Sequence, residues 1–428
     1  MELFPYQWIE RIIAINSETH RSNAEVVAFL RPLLQEAGLK VQTQDVREGS
    51  EVFTNLIAYN QHPTHPDLLL FNTHLDTVSG GDTSQWTKTG GDPWKATRVR
   101  DRIYGLGTAD VKIDFLCKLW AIRQSGNLQR PIALVGTYGE ERGLVGVQKL
   151  FDEKKITPKY AVVGEPSVLE LIYAHKGHFI GVARFPLERL NSEAHTLKTK
   201  GKAAHTSTPH LGVNALTKLL QTVAKKKLGL CSLEGGVNDN RVPESAQAQV
   251  ISEAGNATRT LLEFVARMEK LVGVLAKKRD RAFNPSASTL SWNVARTDNG
   301  HVELTFDIRT LPGVDSARLR KDVEAALPKG ASWTKIAIDL PLAGSKTSPL
   351  IQAASRALRE CGVKPVIKTK ASCTEAAIYH HYGAQAFVFG PGISVGNVHK
   401  PNEHNLLSQI RVATQFYQAL LHQPLERS

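Results

Sequence analysis

Leu68-Leu69-Leu70-Phe71-Asn72-Thr73-His74-Leu75-Asp76 is the stretch that decides the fold. An apolar run of strand length ends in a histidine and, two residues on, a carboxylate. In open α/β sheets, ligands bind outside the carboxyl ends of the strands. Four further segments repeat the theme downstream: Gly107-Thr108-Ala109-Asp110, Glu140-Glu141, Gly164-Glu165-Pro166 and His399-Lys400-Pro401-Asn402-Glu403. Glu140-Glu141 follows the apolar run Ile132 to Val135. A lone His-x-Asp would mean little, but this ordered set supplies two histidines and several carboxylates.

These residue types suit a pair of divalent cations. Imidazole and carboxylate ligands fit zinc, cobalt or manganese. Two ions roughly 3.5–4 Å apart share a ligand, and a carboxylate can bridge them. Such a pair polarises a scissile carbonyl and lowers the pKa of a water. A carboxylate outside the metal shell can then move the water's proton to the leaving group. Adjacent glutamates fit that division, because consecutive residues leaving a strand point in different directions.

The chain resembles the M20 metallopeptidases, and among them the acetylornithine deacetylase and succinyl-diaminopimelate desuccinylase group. The segments that carry the likeness are Thr73-His74-Leu75-Asp76-Thr77-Val78, Tyr104-Gly105-Leu106-Gly107-Thr108-Ala109-Asp110, Gly139-Glu140-Glu141 and Gly164-Glu165-Pro166-Ser167. Further on they are His175-Lys176-Gly177-His178, Gly201-Lys202-Ala203-Ala204-His205-Thr206-Ser207, Asp307-Ile308-Arg309-Thr310-Leu311-Pro312-Gly313, Cys373-Thr374-Glu375-Ala376 and Gly390-Pro391-Gly392 before His399.

The resemblance implies a role for each matched residue. His74, Asp110 and Glu165 would hold one metal ion, and Asp110, Glu141 and His399 the other, with Asp110 bridging. Glu140 would be the general base and later the acid. Asp76 would orient His74, the usual carboxylate–histidine–metal arrangement. His205 would polarise the scissile carbonyl, in this family often across a dimer. Arg309 and Asn240 would contact the substrate carboxylate or the reacting carbonyl, and Glu375 a cationic side chain of the substrate. Taken singly, several have plainer readings: Asp110 as a helix N-cap, His205 as a turn residue, Arg309 as an ion-pair partner.

Composition fits an ordinary globular protein. The chain has 428 residues, 42% hydrophobic and 22% charged, enough for two domains and a large core. No run of apolar residues is long enough to span a membrane. The start, Met1-Glu2-Leu3-Phe4-Pro5-Tyr6, lacks the basic and apolar regions of a signal peptide. Cys117, Cys231, Cys361 and Cys373 show no Cys-x-x-Cys spacing, so reduced thiols in a cytoplasm are expected. The net charge of +12 has its main clusters at Lys225-Lys226-Lys227 and Lys277-Lys278-Arg279. Neither carries interleaved aromatics, and each ends a helical stretch, where lysine suits the dipole. Nucleic acid is therefore not the expected partner; a positive field can help collect anionic substrates.

Strand-like and helical segments alternate from Leu39 to Gly164, which predicts a mostly parallel sheet with helices on both faces. Ser22 to Glu25 reads as a capping box, with Gly38 ending the helix. After about Lys176 the pattern changes to an inserted α+β, ferredoxin-like domain for dimerisation or as a lid. The α/β pattern resumes with a helix from Leu350, so residues 1–176 and 341–428 form a discontinuous catalytic domain and 177–340 the insert. The chain departs from the family at Ile113, where glycine is usual, and at Gly139, commonly acidic. A helical stretch, Leu261 to Leu275, also separates Asn240 from Asp307-Ile308-Arg309 more widely than usual.

The expected protein is a cytoplasmic, homodimeric amidohydrolase with two divalent ions, zinc or cobalt. Its expected substrate is a small N-acyl amino acid, first N-acetyl-L-ornithine, whose cleavage serves arginine synthesis. A desuccinylase, another N-acyl-amino-acid deacylase, a small-peptide carboxypeptidase or dipeptidase, or a non-catalytic binding protein on the same fold are the alternatives.

Overall fold

Leu69–His74 pairs in parallel with Ile132–Thr137 on one side and with Tyr160–Gly164 on the other. Gln385–Phe389 extends the parallel block beyond Tyr160–Gly164. These strands are buried almost throughout, as expected where helices cover both faces of a sheet. The computed structural model describes residues 3–191 and 193–425, so Met1 and Glu2 of the N-terminal segment lie outside the described residues. Among the described residues the sheet has nine strands, with Lys40–Glu48 and Glu51–Tyr59 added antiparallel at one edge and Leu171–His175 toward the other. The sheet is therefore mixed, with a parallel centre.

Side-chain alternation along the central strands divides the packing. Leu69, Phe71, Leu134 and Phe389 point into a core with helices Lys112–Gln124, Pro349–Glu360 and Leu407–His422. Val145–Asp152 and Ala376–His381 lie on the opposite face, where the Phe151 and Tyr379 rings stand 5.5 Å apart. Beneath the strand ends, Lys118 Nζ lies 2.6 Å from Asp114 Oδ2 and donates to Thr73 Oγ1 at 2.8 Å, both charges fully buried. The hydroxyl of Tyr417 donates to Asp114 Oδ1 at 2.6 Å. Gly164 is forced by this pair, since a Cβ there would lie 2.0 Å from Asp114 Oδ2.

The chain divides into two compact units. The first runs to Ala174 and takes up Leu342–Lys368 and the chain from Thr374; the second comprises His175–Pro341 and Thr369–Cys373. Cys373 and Glu375, two positions apart in sequence, thus belong to different units. The second unit is an eight-stranded sheet among the described residues, its pairings all antiparallel. Helices Ala215–Lys226, Asn256–Leu275 and Ser316–Ala326 contribute to its core. The helical stretch that separates Asn240 from Arg309 is part of that core. Phe264 of this helix packs 5.2 Å from Phe185, 5.8 Å from Phe306 and 6.0 Å from Trp292. Truncating it to alanine would cost about 3–5 kcal/mol.

The capping box does not form. Helix Ala24–Glu36 starts after Asn23, whose side chain bonds Thr54 instead. Ser22 Oγ donates to the Val52 carbonyl and accepts the Ala24 N–H at 3.3 Å, but the Ser22 main-chain N–H goes to Glu51 and Glu25 pairs with Arg11. These tertiary partners win over the local motif. No helix among the described residues is long and apolar enough to cross a membrane.

Candidate metal centre

Each central strand delivers a polar residue at its carboxyl end. His74 closes its strand, Glu140 and Glu141 follow the strand ending at Thr137, and Glu165 follows Gly164. Asp110 precedes helix Lys112–Gln124, capped by Val111 without a side-chain bond, so Asp110 does not cap it. His399 sits in the loop after Gln385–Phe389 with φ of 58°.

Asp110 stands between two groups of ligand atoms. Its Oδ1 lies 3.3 Å from Nε2 of His74, which in turn is 4.0 Å from Glu165 Oε1. Its Oδ2 lies 3.1 Å from Nε2 of His399, which is 3.0 Å from Glu141 Oε1. One carboxylate thus offers an oxygen to each of two clusters, His74–Asp110–Glu165 and Asp110–Glu141–His399. Ligands on one ion, with bonds of about 2.0–2.2 Å, stand about 3–4 Å apart, so the donor atoms are spaced for a cation in each cluster.

The surroundings fix these ligands. Nδ1 of His74 lies 3.0 Å from the Asp76 main-chain carbonyl and 3.6 Å from the Asp76 carboxylate. A proton on Nδ1 leaves the Nε2 lone pair facing Asp110. The Asp76 carboxylate accepts the main-chain N–H of Glu140 at 3.1 Å and of Glu141 at 3.2 Å. The orienting bond to His74 therefore comes chiefly from the Asp76 main chain, and its side chain holds the glutamate pair. Glu403, fully buried, accepts the N–H of Ala109 at 2.9 Å and of Asp110 at 3.2 Å. The sequence motif contained Glu403 but gave no role to it; its separation of 293 residues from Asp110 hides the contact.

The electrostatics show a site crowded with negative charge. Burial pushes the Glu140 carboxyl well above its usual value, His74 opposes this, and Glu165, Glu141 and Glu375 add to it. Burial likewise raises Glu141 against the pull of His399. Burial works against ionised Asp110, yet His399 and His74 hold it well below the usual carboxylate range. Burial disfavours a charged His399, but Glu141 and Asp110 push it up to about 12. Glu403 rises to about 8 through burial and the nearby Asp110. Bound cations would supply the charge that offsets this crowding.

The substrate-side residues are placed differently. Glu375 is 1% exposed; its Oε2 accepts from Asn72 and, at 2.9 Å, from Thr137, while Oε1 has no hydrogen-bond partner among the described residues. It lies within the interior of the first unit, away from solvent, where burial above all pushes it up to about 7. His205, Asn240 and Arg309 belong to the second unit. His205 is exposed and its Nδ1 lies 2.8 Å from Ser207 Oγ. Asn240 is exposed, and its carbonyl accepts the Thr206 N–H at 3.0 Å. Arg309 is 4% exposed and commits Nε and one Nη to Asp307.

The family model of peptidase family M20/M25/M40 matches residues 70–423, and the chain belongs to that family of metal-dependent hydrolases. It is 27% identical over 415 residues to an acetylornithine deacetylase of Aliivibrio fischeri, covering 93% of this chain and 91% of that one. Among solved structures, an aminoacylhistidine dipeptidase from Vibrio alginolyticus matches 100% of this chain and 98% of its own, with TM-score 0.67 and 16% identity. An M20 metallo-carboxypeptidase from Sulfolobus solfataricus covers 97% and 98%, with TM-score 0.64 and 17% identity. These last two share the fold. The chain is thus an M20 metallopeptidase or amidohydrolase, α/β with an inserted domain.

Proposed function

We propose that the chain removes the acyl group from a small N-acylated amino acid. N-acetyl-L-ornithine is the first substrate, with water consumed and ornithine and acetate released. The observation that carries the reaction type is Asp110, with one oxygen toward each ligand cluster and Glu140 alongside. What supports the substrate is the 27% identity with the Aliivibrio acetylornithine deacetylase across nearly the full length of both chains.

His74, Asp110 and Glu165 would hold one divalent ion, and Asp110, Glu141 and His399 the other. Such a pair would supply polarisation of the scissile carbonyl and a water of lowered pKa. Glu140, whose main-chain N–H is anchored on Asp76, takes the attacking water's proton and delivers it to the leaving amine. Asp76 keeps the glutamate pair and His74 in place. His205 polarises the carbonyl, and Asn240 contacts the substrate; both are exposed. Arg309, tied to Asp307, serves the substrate carboxylate chiefly by shaping its surroundings. Glu375, buried, tunes the centre's charge in place of meeting a substrate cation. The same reading makes the enzyme a cytoplasmic homodimer of arginine synthesis that uses zinc or cobalt.

The test is a panel of N-acetylornithine, N-acetylmethionine, N-succinyl-diaminopimelate and a neutral dipeptide with metal-loaded protein. N-acetylornithine should give the highest kcat/KM. An enzyme active on another member but inert toward N-acetylornithine contradicts the substrate.

A further inference from the structure

The second unit carries a ligand cluster of different chemistry. His178 lies on strand Gly177–Pro186, directly opposite Asp339 on Ser332–Asp339 and opposite Arg309 on His301–Thr310. Cys373 arrives on the segment Thr369–Cys373, which the same unit contains. Nδ1 of His178 stands 3.2 Å from Asp339 Oδ2, and Cys373 Sγ stands 3.5 Å from the same oxygen. The three ligand atoms lie within 4.8 Å of one another, and all three residues are half-buried.

We propose that His178, Asp339 and Cys373 form a separate site for a borderline divalent cation such as zinc, with a fourth position open to water or a small anion. On a tetrahedral ion with bonds of about 2.0–2.3 Å, nitrogen, oxygen and sulfur ligands stand about 3.3–3.7 Å apart. The Cys373–Asp339 separation of 3.5 Å falls within that range, and the His178–Asp339 separation of 3.2 Å lies just below it. A sulfur ligand selects zinc or cobalt over magnesium or calcium.

A second carboxylate flanks the imidazole. Its other nitrogen, Nε2, stands 3.0 Å from Asp307 Oδ2, a charge contact without hydrogen-bond alignment. Asp307 is itself held by Arg309 Nη2 and by the Thr206 hydroxyl, each at 2.9 Å. Entry of the ion releases the thiol proton and any proton on Nδ1 to solvent, leaving thiolate, neutral imidazole and carboxylate as ligands. The ligand groups of the proposed first-unit centre offer nitrogen and oxygen donors among the described residues, so sulfur marks this site.

Cobalt(II) titration followed by near-ultraviolet absorption tests it. Wild type should show a thiolate-to-cobalt charge-transfer band and bind one more equivalent than Cys373→Ser, which should lack the band. His178→Gln, which keeps the thiol, should weaken the band's midpoint at least tenfold. His74→Ala combined with His399→Ala, which dismantles the first-unit centre, should retain the band. That arm separates this site from the proposed reaction. Saturating cobalt with no band in folded wild type, or a band that survives Cys373→Ser, overturns the proposal.

Discussion

The carboxylate of Asp76 accepts the main-chain N–H of Glu140 at 3.1 Å, and its second oxygen accepts that of Glu141 at 3.2 Å. One side chain thereby sets the direction of both glutamates. Asp76→Asn keeps the shape but presents an N–H where one of those amides needs an acceptor. Turnover should fall roughly 10–100-fold, with near wild-type folding. Steady-state kinetics beside circular dichroism checks this; unchanged turnover would remove Asp76 from the positioning role.

Glu140 and Glu141 should separate cleanly. Only Glu141 has an oxygen within 3.0 Å of His399 Nε2. Glu140→Gln should retain both ions and lose roughly 10²–10⁴-fold in turnover. Glu141→Gln should lose one ion. Metal content by mass spectrometry and turnover on the same preparations decide it, and the opposite pattern would exchange the two roles.

Glu375 predicts a pH effect on stability. In the metal-free protein its carboxyl is pushed up to about 7 from the ordinary 4.5. A raised folded value means the native state binds more protons between those two pH values. Stability from this group is full below about 4.5 and is lost as pH rises through about 7, on the order of 3 kcal/mol in all. Glu375→Gln, which cannot titrate, should flatten that part of the curve in chelated protein. Denaturant melts from pH 4 to pH 8 measure it; identical slopes would mean the carboxyl is not strained. Its burial also predicts that the same substitution slows neutral and basic substrates alike.

The buried pair beneath the strand ends gives a structural prediction. Lys118→Met leaves Asp114 charged and unpaired against Thr73 and Tyr417. Removing one partner of a buried pair costs about 3–5 kcal/mol. Urea titration should show a loss of that order, and a loss near zero would mean that water or another proton compensates.

Much of this was legible because chemistry and periodicity coincided. The strands ending at His74, Thr137 and Gly164 are short, apolar and followed at once by acids, so both strand and site were readable. Ser245–Ile251 and Thr289–Asp298 passed unread: Ser-Ala-Gln-Ala-Gln alternates, but with alanine as its apolar residue, and a register shift between Trp292 and Val294 breaks the period of the second strand. The bond from Glu403 to Asp110 and the burial of Glu375 depend on contacts between residues hundreds of positions apart, which no local pattern encodes. Ser22 to Glu25 failed as a capping box for the same reason, the Ser22 main-chain N–H being taken by Glu51 and the Glu25 carboxylate by Arg11.

Anomalous diffraction from crystals of the active, zinc-loaded protein, collected at the zinc edge, tests the central claim most directly. Two peaks should flank Asp110, one among His74, Asp110 and Glu165 and the other among Asp110, Glu141 and His399. Any peak at Cys373 would be additional to these. A single peak, or none, beside Asp110 in protein of full activity would contradict the two-ion centre.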